Sequence, residues 1–304
     1  MITTRDRAAD LRRTLDVLWH LNPPPHEVLI TADGCTDETV LMVKAEKRKA
    51  ESGRREAEDG RWQMAEENGK TNGLNIRLFV NPVGLGSVAS RDRMMREARG
   101  DLVLALDDDS YPEQSNCLET LSSFFSRQPD LAIATFPQRT DEYPETLTTT
   151  DFGAERAIRS FPNSGACLRV STYRSLAGFE PMFFHMYEEP DYALQCVAAG
   201  WEVRLVPSIT IRHHWTPNQR SEIRNHHRHA RNEFWSTLMR CPLPQMPLLL
   251  LYRIFAQARF AAKRGWLLRE PHWWLDGIRG IPQALRRRSP VTWAGYKKWL
   301  TLKN

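Results

Sequence analysis

The sequence has little cysteine and no long uninterrupted run of apolar residues. Five of its 304 residues are cysteine and none stand in a CxxC arrangement, so we expect neither a disulfide framework nor a structural zinc site. The longest apolar stretch, residues 246–262, is interrupted by Arg253 and Arg259, whereas a membrane-spanning helix needs about 20 nearly continuous apolar residues. Charges also occupy the N-terminal segment where a secretory signal would be apolar. We therefore expect a reduced, cytoplasmic protein without a transmembrane helix.

Low-complexity segments and internal repeats are also absent. With 41% hydrophobic residues, the chain can bury one large core or two lobes that share an interface. The net charge of +5 permits nucleic acid, anionic lipid or phosphorylated substrates as partners and does not choose among them.

The first 136 residues alternate short apolar strands with amphipathic helices. This pattern is typical of a parallel sheet covered by helices on both faces. Residues 137–219 indicate a mixed second half of strands and short helices. We therefore predict an α/β domain over residues 1–219, built on a Rossmann-like, mostly parallel sheet, followed by a C-terminal helical appendage over residues 220–304.

One segment of the predicted α/β domain is unusually charged. Residues 44–68 contain too few apolar side chains to anchor the segment in a core. The pattern predicts a solvated helical extension of the preceding helix, interrupted near Gly53.

The C-terminal region interleaves arginine, histidine, tryptophan and leucine with helical spacing. Amphipathic helices of this composition lie on anionic bilayer surfaces. Alternatively, the helices pack on the α/β domain and leave their arginines in solvent. A zinc site at His226, His227 and His229 has the wrong spacing for one helix face and no cysteine nearby. Membrane contact and packing on the domain both stay open.

Three consecutive aspartates, Asp107, Asp108 and Asp109, directly follow an apolar strand. Loops at the carboxyl ends of parallel strands are where open α/β sheets bind ligands. Carboxylate oxygens suit Mg²⁺ or Mn²⁺, and a cation would relieve the repulsion among three adjacent acids. An acidic turn that caps the next helix is the alternative, but the strand context favours a metal pair at Asp107 and Asp109.

Two further acidic segments stand where ligands commonly bind. Asp33 ends another strand, which would lie beside the strand before Asp107 in a doubly wound sheet, and Gly34 permits a sharp turn after it. A carboxylate there can accept hydrogen bonds from a base or ribose, although the segment by itself indicates only a turn. Glu188, Glu189 and Asp191 stand at a predicted helix start, where carboxylates either stabilise the helix dipole or supply a general base. Periodicity does not separate these two roles.

In order and spacing, these segments resemble the family 2 glycosyltransferases of the GT-A fold, from about Thr3 to His214. The family's early motifs correspond here to Thr4, Arg5, Asp6 and Arg7, to the donor loop 33–37, to Asn81, Gly84, Gly86, Arg91 and Asp92, and to Leu106, Asp107, Asp109 and Pro112. Its later motifs correspond to residues 177–180, to residues 188–192, and to Pro207 with His213.

The resemblance implies transfer of a sugar from a nucleoside-diphosphate-sugar donor to a glycan or lipid-linked acceptor, with inversion at the anomeric carbon. It implies Mg²⁺ or Mn²⁺ as the cofactor, a role in cell-surface polysaccharide synthesis, and no nucleic acid as a partner. The enzyme would be cytoplasmic, or peripheral on the inner face of the plasma membrane through its C-terminal region.

The resemblance also assigns roles to residues. Those implied to bind the nucleotide-sugar are Thr4, Asp33, Arg91, Asp107 and Asp108. Those implied to bind the metal are Asp107, Asp109 and His213. The implied catalytic base is Glu189, with Glu188 and Asp191 close enough to take the role instead.

Other classes fit less well. A sugar nucleotidylyltransferase on a similar sheet would need a glycine-rich phosphate loop after the first strand, and residues 3–13 contain no glycine. A nucleic-acid-binding protein would suit the basic tail, but phosphates would be repelled by the acidic strand ends. One departure from the family is the short apolar lead before the first motif, only Met1 and Ile2. It predicts a stunted first strand, with either an upstream start or a nucleoside pocket that lacks part of its floor.

Overall fold

Helices follow strands along most of the chain in the computed structural model, which describes residues 1–52, 74–142, 153–214 and 221–303, with short strand segments between residues 54 and 71. The strands are β1 (Ile2–Thr4), β2 (Val28–Asp33), β3 (Arg54–Glu56), β4 (Trp62–Met64), β5 (Glu66–Glu67), β6 (Lys70–Thr71), β7 (Ile76–Asn81), β8 (Leu102–Asp107), β9 (Ser110–Pro112), β10 (Leu131–Thr135), β11 (Gln138–Arg139), β12 (Arg156–Ala157), β13 (Ala166–Arg169), β14 (Glu202–Leu205) and β15 (Ile211–His213). The α-helices are α1 (Ala8–Trp19), α2 (Thr39–Ser52), α3 (Ser87–Glu97), α4 (Cys117–Arg127), α5 (Val170–Ser175), α6 (Glu188–Ala198), α7 (Glu222–Arg240), α8 (Met246–Lys263), α9 (Pro271–Arg279), α10 (Ile281–Arg286) and α11 (Trp293–Thr301).

The central sheet has eight strands in the order β12-β14-β10-β13-β8-β1-β2-β7. Strands β8, β1, β2 and β7 run parallel, so their carboxyl ends meet at one edge of the sheet. β13 is antiparallel to both β8 and β10, and β10 is parallel to β14. A smaller sheet, β11-β15-β9, pairs His213 with Ser110 beyond the end of β8. The predicted mostly parallel α/β sheet is confirmed.

Helices cover both faces of this sheet, as predicted. Leu29 of β2 belongs to a core cluster with Met94 of α3 and Tyr192 of α6. Its neighbour Ile30 belongs to a second cluster with Leu11 of α1. Successive side chains of a strand point to opposite faces, which explains the division. β2 is buried along its whole length, as expected for a parallel strand covered on both sides.

The first strand is short, as predicted. β1 has three residues, whereas β2 beside it has six. A cavity of about 590 Å³ lies at the amino ends of the strands, lined mostly by apolar side chains that include Met1, Leu29 and Leu104. This space is at the opposite end of the strands from the acidic segments.

The prediction of a helix over residues 44–68 is wrong beyond residue 52, where α2 ends. β3 pairs antiparallel with β4, and β5 pairs antiparallel with β6. Most helical stability in proteins comes from packing of an apolar face. The segment supplies few apolar side chains, so its charged residues do not sustain a longer helix.

The C-terminal helices do not extend the sheet, but their inner faces share its core. Trp235 of α7, Ala284 of α10 and Trp299 of α11 belong to the same cluster as Tyr192 of α6. The predicted alternative in which these helices pack on the α/β domain therefore describes their inner faces. The domain boundary near residue 219 stays a prediction.

The longest apolar stretch of the sequence forms α8. Its exposed residues include Leu248, Leu251, Tyr252 and Phe255, whose i, i+3, i+4, i+7 spacing forms one outward stripe. Arg253, which interrupts the stretch, is directed inward to an ion pair with Glu233. In the described part of the chain, every helix is too short or too polar to cross a membrane.

Candidate active site

The carboxyl ends of β1, β2 and β8 open into a cavity of about 470 Å³, which the start of α6 and the loop before it also line. This is the edge at which α/β sheets bind ligands. The charged residues that line the cavity are Arg5, Arg7, Arg91, Arg228, Asp33, Asp107, Asp108, Asp109, Glu188 and Glu189. The site therefore lies here and not in the larger apolar cavity at the amino ends of the strands.

Asp107, Asp109 and His213 converge beyond the end of β8. One ligand atom from each lies within 4.8 Å of the others, with His213 Nε2 3.3 Å from Asp109 Oδ1 and 4.0 Å from Asp107 Oδ2. His213 Nδ1 is 2.9 Å from Gln138 Oε1, and donation to that acceptor would leave the Nε2 lone pair directed at the acids. Two carboxylates and an imidazole are a donor set that fits a divalent cation such as Mn²⁺.

Arg7 binds Asp108 and Asp109 of the acidic loop, residues 107–109. Its guanidinium lies 2.9 Å from Asp108 Oδ1 and 2.7 Å from Asp109 Oδ2. Thr4 Oγ1 donates to Asp108 Oδ2 at 2.8 Å. Burial raises the pKa of Asp108 to about 7, although Arg7 opposes the change. Burial would also raise the pKa of Asp109, but a hydrogen bond and the charge from His213 in its protonated form, together with Arg7, hold it below its ordinary value. The nucleotide contacts of Thr4 and Asp108 stay predictions.

Asp33 accepts hydrogen bonds from the loop that contains Gly84 and Gly86, beside the cavity. Its Oδ1 accepts from Asn81 Nδ2 at 2.8 Å and from the Leu85 backbone N–H at 2.9 Å, and its Oδ2 accepts from the Gly86 backbone N–H at 2.8 Å. β1 lies between the strands that carry Asp33 and Asp107, so these acids are not on adjacent strands as the sequence suggested. Asp33 nevertheless lines the cavity, and its nucleoside contact stays a prediction.

Buried Arg91 connects the acidic loop to the acidic start of α6. Its guanidinium is 2.5 Å from Asp107 Oδ1 and 3.2 Å from Glu188 Oε1. Next to this pair, Glu189 is half-buried. Burial and then the negative charge of Glu188 raise the pKa of Glu189 to about 8, against the attraction of Arg91. A carboxyl group with a pKa near the working pH is suited to accept a proton.

Two buried acceptor atoms at this cavity lack a hydrogen-bond partner among the described residues, Glu188 Oε2 and Asn163 Oδ1. An unsatisfied buried acceptor is costly, and hydroxyl donors of a ligand would satisfy both atoms. Sequence reasoning missed Asn163, because the residues around it indicated only a strand.

Asp191 does not line this cavity. It is 1% exposed and is bound by Arg240 at 3.1 Å and Ser236 at 2.6 Å, both on α7. Both of its oxygens are engaged by these groups and by Gln195. The catalytic role considered for Asp191 is therefore not supported, because its carboxylate points into a structural ion pair.

Residues 56–189, which include Arg91, Asp107 and Glu189, match the family model described as glycosyl transferase family 2. The match covers 134 of the 304 residues. A comparison with curated proteins found no match.

Solved structures share the fold of this chain. TarS 1–349 from S. aureus superposes with a TM-score of 0.61 at 13% identity, covering 93% of this chain and 79% of that one. PcManGT, a mannosyltransferase from Pyrobaculum calidifontis, superposes with a TM-score of 0.56 at 16% identity, covering 98% and 84%. TarS 1–349 has been solved with UDP and with UDP-GlcNAc, and the PcManGT structure contains GDP-Man and Mn²⁺. At these identities the likeness shows the GT-A fold.

The loop that leads into α6 is strained. Phe184, Met186 and Tyr187 have φ angles of 65°, 75° and 72°, a region that side chains rarely adopt and that costs of order 1–3 kcal/mol for each residue. The His185 N–H donates to the Phe183 carbonyl at 2.7 Å and closes a γ-turn with positive φ, which is uncommon. Nothing in the composition of this loop indicated the strain, since no glycine stands in it.

Proposed function

We propose that this protein is a glycosyltransferase that moves a sugar from a nucleoside-diphosphate donor to an acceptor hydroxyl with inversion at the anomeric carbon. The observation that carries the proposal is the convergence of two acidic segments on one cavity, with Arg91 between Asp107 and Glu188 at 2.5 and 3.2 Å. Residues 107–109 are suited to bind a diphosphate with its cation, and the acidic start of α6 is suited to supply a proton acceptor. Support for the donor class comes from the similar structures that contain UDP, UDP-GlcNAc and GDP-Man.

The donor half of the site is assigned to the strand ends. Asp107, Asp109 and His213 would hold Mg²⁺ or Mn²⁺, which supplies positive charge that offsets the charge of a leaving diphosphate. Thr4, Asp33 and Asp108 are assigned to the nucleoside side of the cavity. The two unsatisfied acceptors described above, Glu188 Oε2 and Asn163 Oδ1, are suited to the hydroxyl groups of the donor sugar.

The acceptor half is assigned to Glu189. Its carboxylate removes the proton of the acceptor hydroxyl as that oxygen bonds to the anomeric carbon. The bond from the anomeric carbon to the diphosphate oxygen breaks in the same step, and the nucleoside diphosphate leaves with the electron pair. One displacement inverts the anomeric configuration.

Ligand-induced thermal shift tests the donor site. UDP, GDP, dTDP and CMP are each added with and without Mn²⁺, and we expect one nucleotide to raise the melting temperature strongly only when Mn²⁺ is present. Each ligand should strengthen binding of the other, because a cation at Asp107 and Asp109 would offset the repulsion between these carboxylates and the diphosphate. Asp109→Ala should abolish this synergy.

Asp101→Ala is the matched control, because Asp101 precedes β8 at its other end and is exposed. It should keep the parental synergy. Equal nucleotide binding by the parent and Asp109→Ala in the presence of Mn²⁺ would contradict the metal assignment. Retention of the parent on a DNA column at moderate salt, with no response to any nucleotide, would favour a nucleic-acid-binding protein instead.

For the acceptor, we propose a glycan or lipid-linked hydroxyl compound in cell-surface polysaccharide synthesis, reached at the inner face of the plasma membrane. The outward stripe of α8, Leu248, Leu251, Tyr252 and Phe255, supports this proposal. Exposed basic residues follow it on the same helix, Arg259 and Lys263. Apolar and basic residues on one exposed helix suit an anionic lipid surface.

A further inference from the structure

One asparagine of α7 contacts much of the strained loop before the acidic start of α6. Asn232 is 0% exposed, and its Nδ2 lies 3.1 Å from the carbonyl oxygen of Phe183, 2.9 Å from that of His185 and 2.7 Å from that of Met186. Three carbonyls around one amide nitrogen require that the donor side of the amide face the loop. Arg231 supports the amide, because its Nε donates to Asn232 Oδ1 at 3.1 Å.

α7 also holds the residues on either side of the two glutamates. The Tyr187 hydroxyl donates to Glu233 at 3.3 Å, and Arg240 binds Asp191 at 3.1 Å. Glu188 and Glu189 therefore lie between Tyr187 and Asp191, two residues that side chains of α7 bind. A loop with several non-glycine residues at positive φ persists only where its surroundings enforce it, and Asn232 supplies most of the hydrogen bonds that α7 makes to its backbone.

We propose that Asn232 is a positioning residue for sugar transfer, which fixes the loop 183–187 so that Glu189 faces the acceptor hydroxyl. The inference rests on the proposed function, in which Glu189 is the base. Asn232 does not line the cavity, so it acts through the backbone and not on the substrate. A displacement of about 1 Å at a reacting group can cost about 100-fold in rate.

The test replaces Asn232 with aspartate, which has nearly the same shape but presents acceptors in place of donors to the three carbonyls. Release of nucleoside diphosphate from UDP-GlcNAc and from GDP-mannose is measured with Mn²⁺ present. We expect Asn232→Asp to lower kcat at least about 10-fold while KM for the donor stays within about twofold. Asn225→Asp makes the same chemical change earlier on α7, at a half-buried residue, and should keep the parental kcat.

Hydrogen–deuterium exchange gives a readout that needs no turnover. In Asn232→Asp, amides of residues 183–189 should exchange at least about 10-fold faster than in the parent, whereas amides of β2 and β8 should not change. Parental exchange in this loop would overturn the inference. A parental kcat, or a loss of activity that appears only as a higher KM, would overturn it as well.

A second variant keeps the inference testable where Asn232→Asp does not fold. Tyr187→Phe removes only the hydroxyl that donates to Glu233, and it should lower kcat several-fold without changing donor-induced thermal stabilisation. Unchanged kcat and unchanged loop exchange in this variant would overturn the inference. A parent that binds no nucleotide would instead contradict the proposed function, so the two failures are distinguishable.

Discussion

The strand ends and the C-terminal helices contribute to the same cavity in different ways. The strand ends supply its charges directly, since Asp107 is the last residue of β8, Asp108 and Asp109 follow it, and Arg7 follows β1. The C-terminal helices supply Arg228 to its wall, but most of their inner polar groups hold backbone and carboxylate groups of the neighbouring elements. Residues at one sheet edge therefore line the cavity, whereas a helix much later in the chain contacts the loop and the helix beside it.

We expect Glu189→Gln to have the largest effect on the rate of sugar transfer. Removal of a positioned general base costs about 10²- to 10⁴-fold in rate, and donor binding does not use it. Release of nucleoside diphosphate should fall by that factor, with donor-induced stabilisation retained. Near-parental turnover of Glu189→Gln would remove this residue from the mechanism, and a product that retains the donor's anomeric configuration would exclude single displacement.

Glu188→Gln and Asp191→Asn serve as comparisons for this result. Glu188→Gln removes charge from the ion pair with Arg91, so it should weaken both turnover and stability. Asp191→Asn should lower stability through the lost buried charge opposite Arg240, with turnover per folded molecule changed less than in Glu189→Gln.

The raised pKa of Glu189 predicts how activity and stability change with pH. Because the pKa of Glu189 is raised to about 8, kcat/KM should rise with pH up to about 8 and then level off. The stabilising contribution of this acid is fully present below its ordinary pKa and is lost as pH rises through about 8. Glu189→Gln should therefore have a higher melting temperature than the parent at pH 9. Equal melting temperatures at pH 9 would contradict the raised pKa.

Arg91→Met should give the next largest effect, on stability. Removing one member of a buried ion pair leaves uncompensated charge and costs about 3–5 kcal/mol. Arg91→Met would remove the cation that both Asp107 and Glu188 contact. Arg93→Met on the same helix is the control, because its pair with Glu97 is exposed and should cost less than about 1 kcal/mol. Urea unfolding measures both; similar values would show that Arg91 does not hold the two acidic segments together.

Membrane binding tests the outer face of the C-terminal helices. A Leu251→Ser, Phe255→Ser double variant removes two exposed apolar side chains, each of which contributes about 1.5–3 kcal/mol when fully buried. Its binding to vesicles of anionic phospholipid should fall at least about 10-fold in flotation at low salt. Leu41→Ser is the control, since Leu41 is 69% exposed on α2. No flotation of the parent would leave packing on the domain as the sole role of these helices.

The smallest difference is expected between two glycines. Gly86 and Gly200 have φ angles of 92° and 93°, but a Cβ on Gly86 would lie 2.3 Å from the Phe184 carbonyl oxygen, whereas on Gly200 it would meet open space. Both alanine variants share the conformational cost. Gly86→Ala should be about 1–3 kcal/mol less stable than Gly200→Ala, since overpacking adds to it. Equal unfolding free energies would show that the Phe184 backbone moves to accommodate the added Cβ.

Local patterns in the sequence were enough to predict the sheet and the positions of its acidic loops. Alternating apolar and polar residues specify which strand face is buried, and a strand end places Asp107 and Asp109 at the ligand edge whatever the surroundings. His213 was found because its motif resembles a known family, and the fold then brings it 3.3 Å from Asp109. These features depend on local periodicity or on short motifs.

The surroundings of Asp191, Asn163 and Asn232 became visible only in the folded chain. Helix-start periodicity cannot separate Glu189 from Asp191, because the distinction is made by Arg240 on a helix far along the chain. The strain at Phe184 is equally invisible in sequence, since ordinary residues hold positive φ only when distant side chains enforce it. Long-range partners are specified by packing between elements, and no local spacing encodes them.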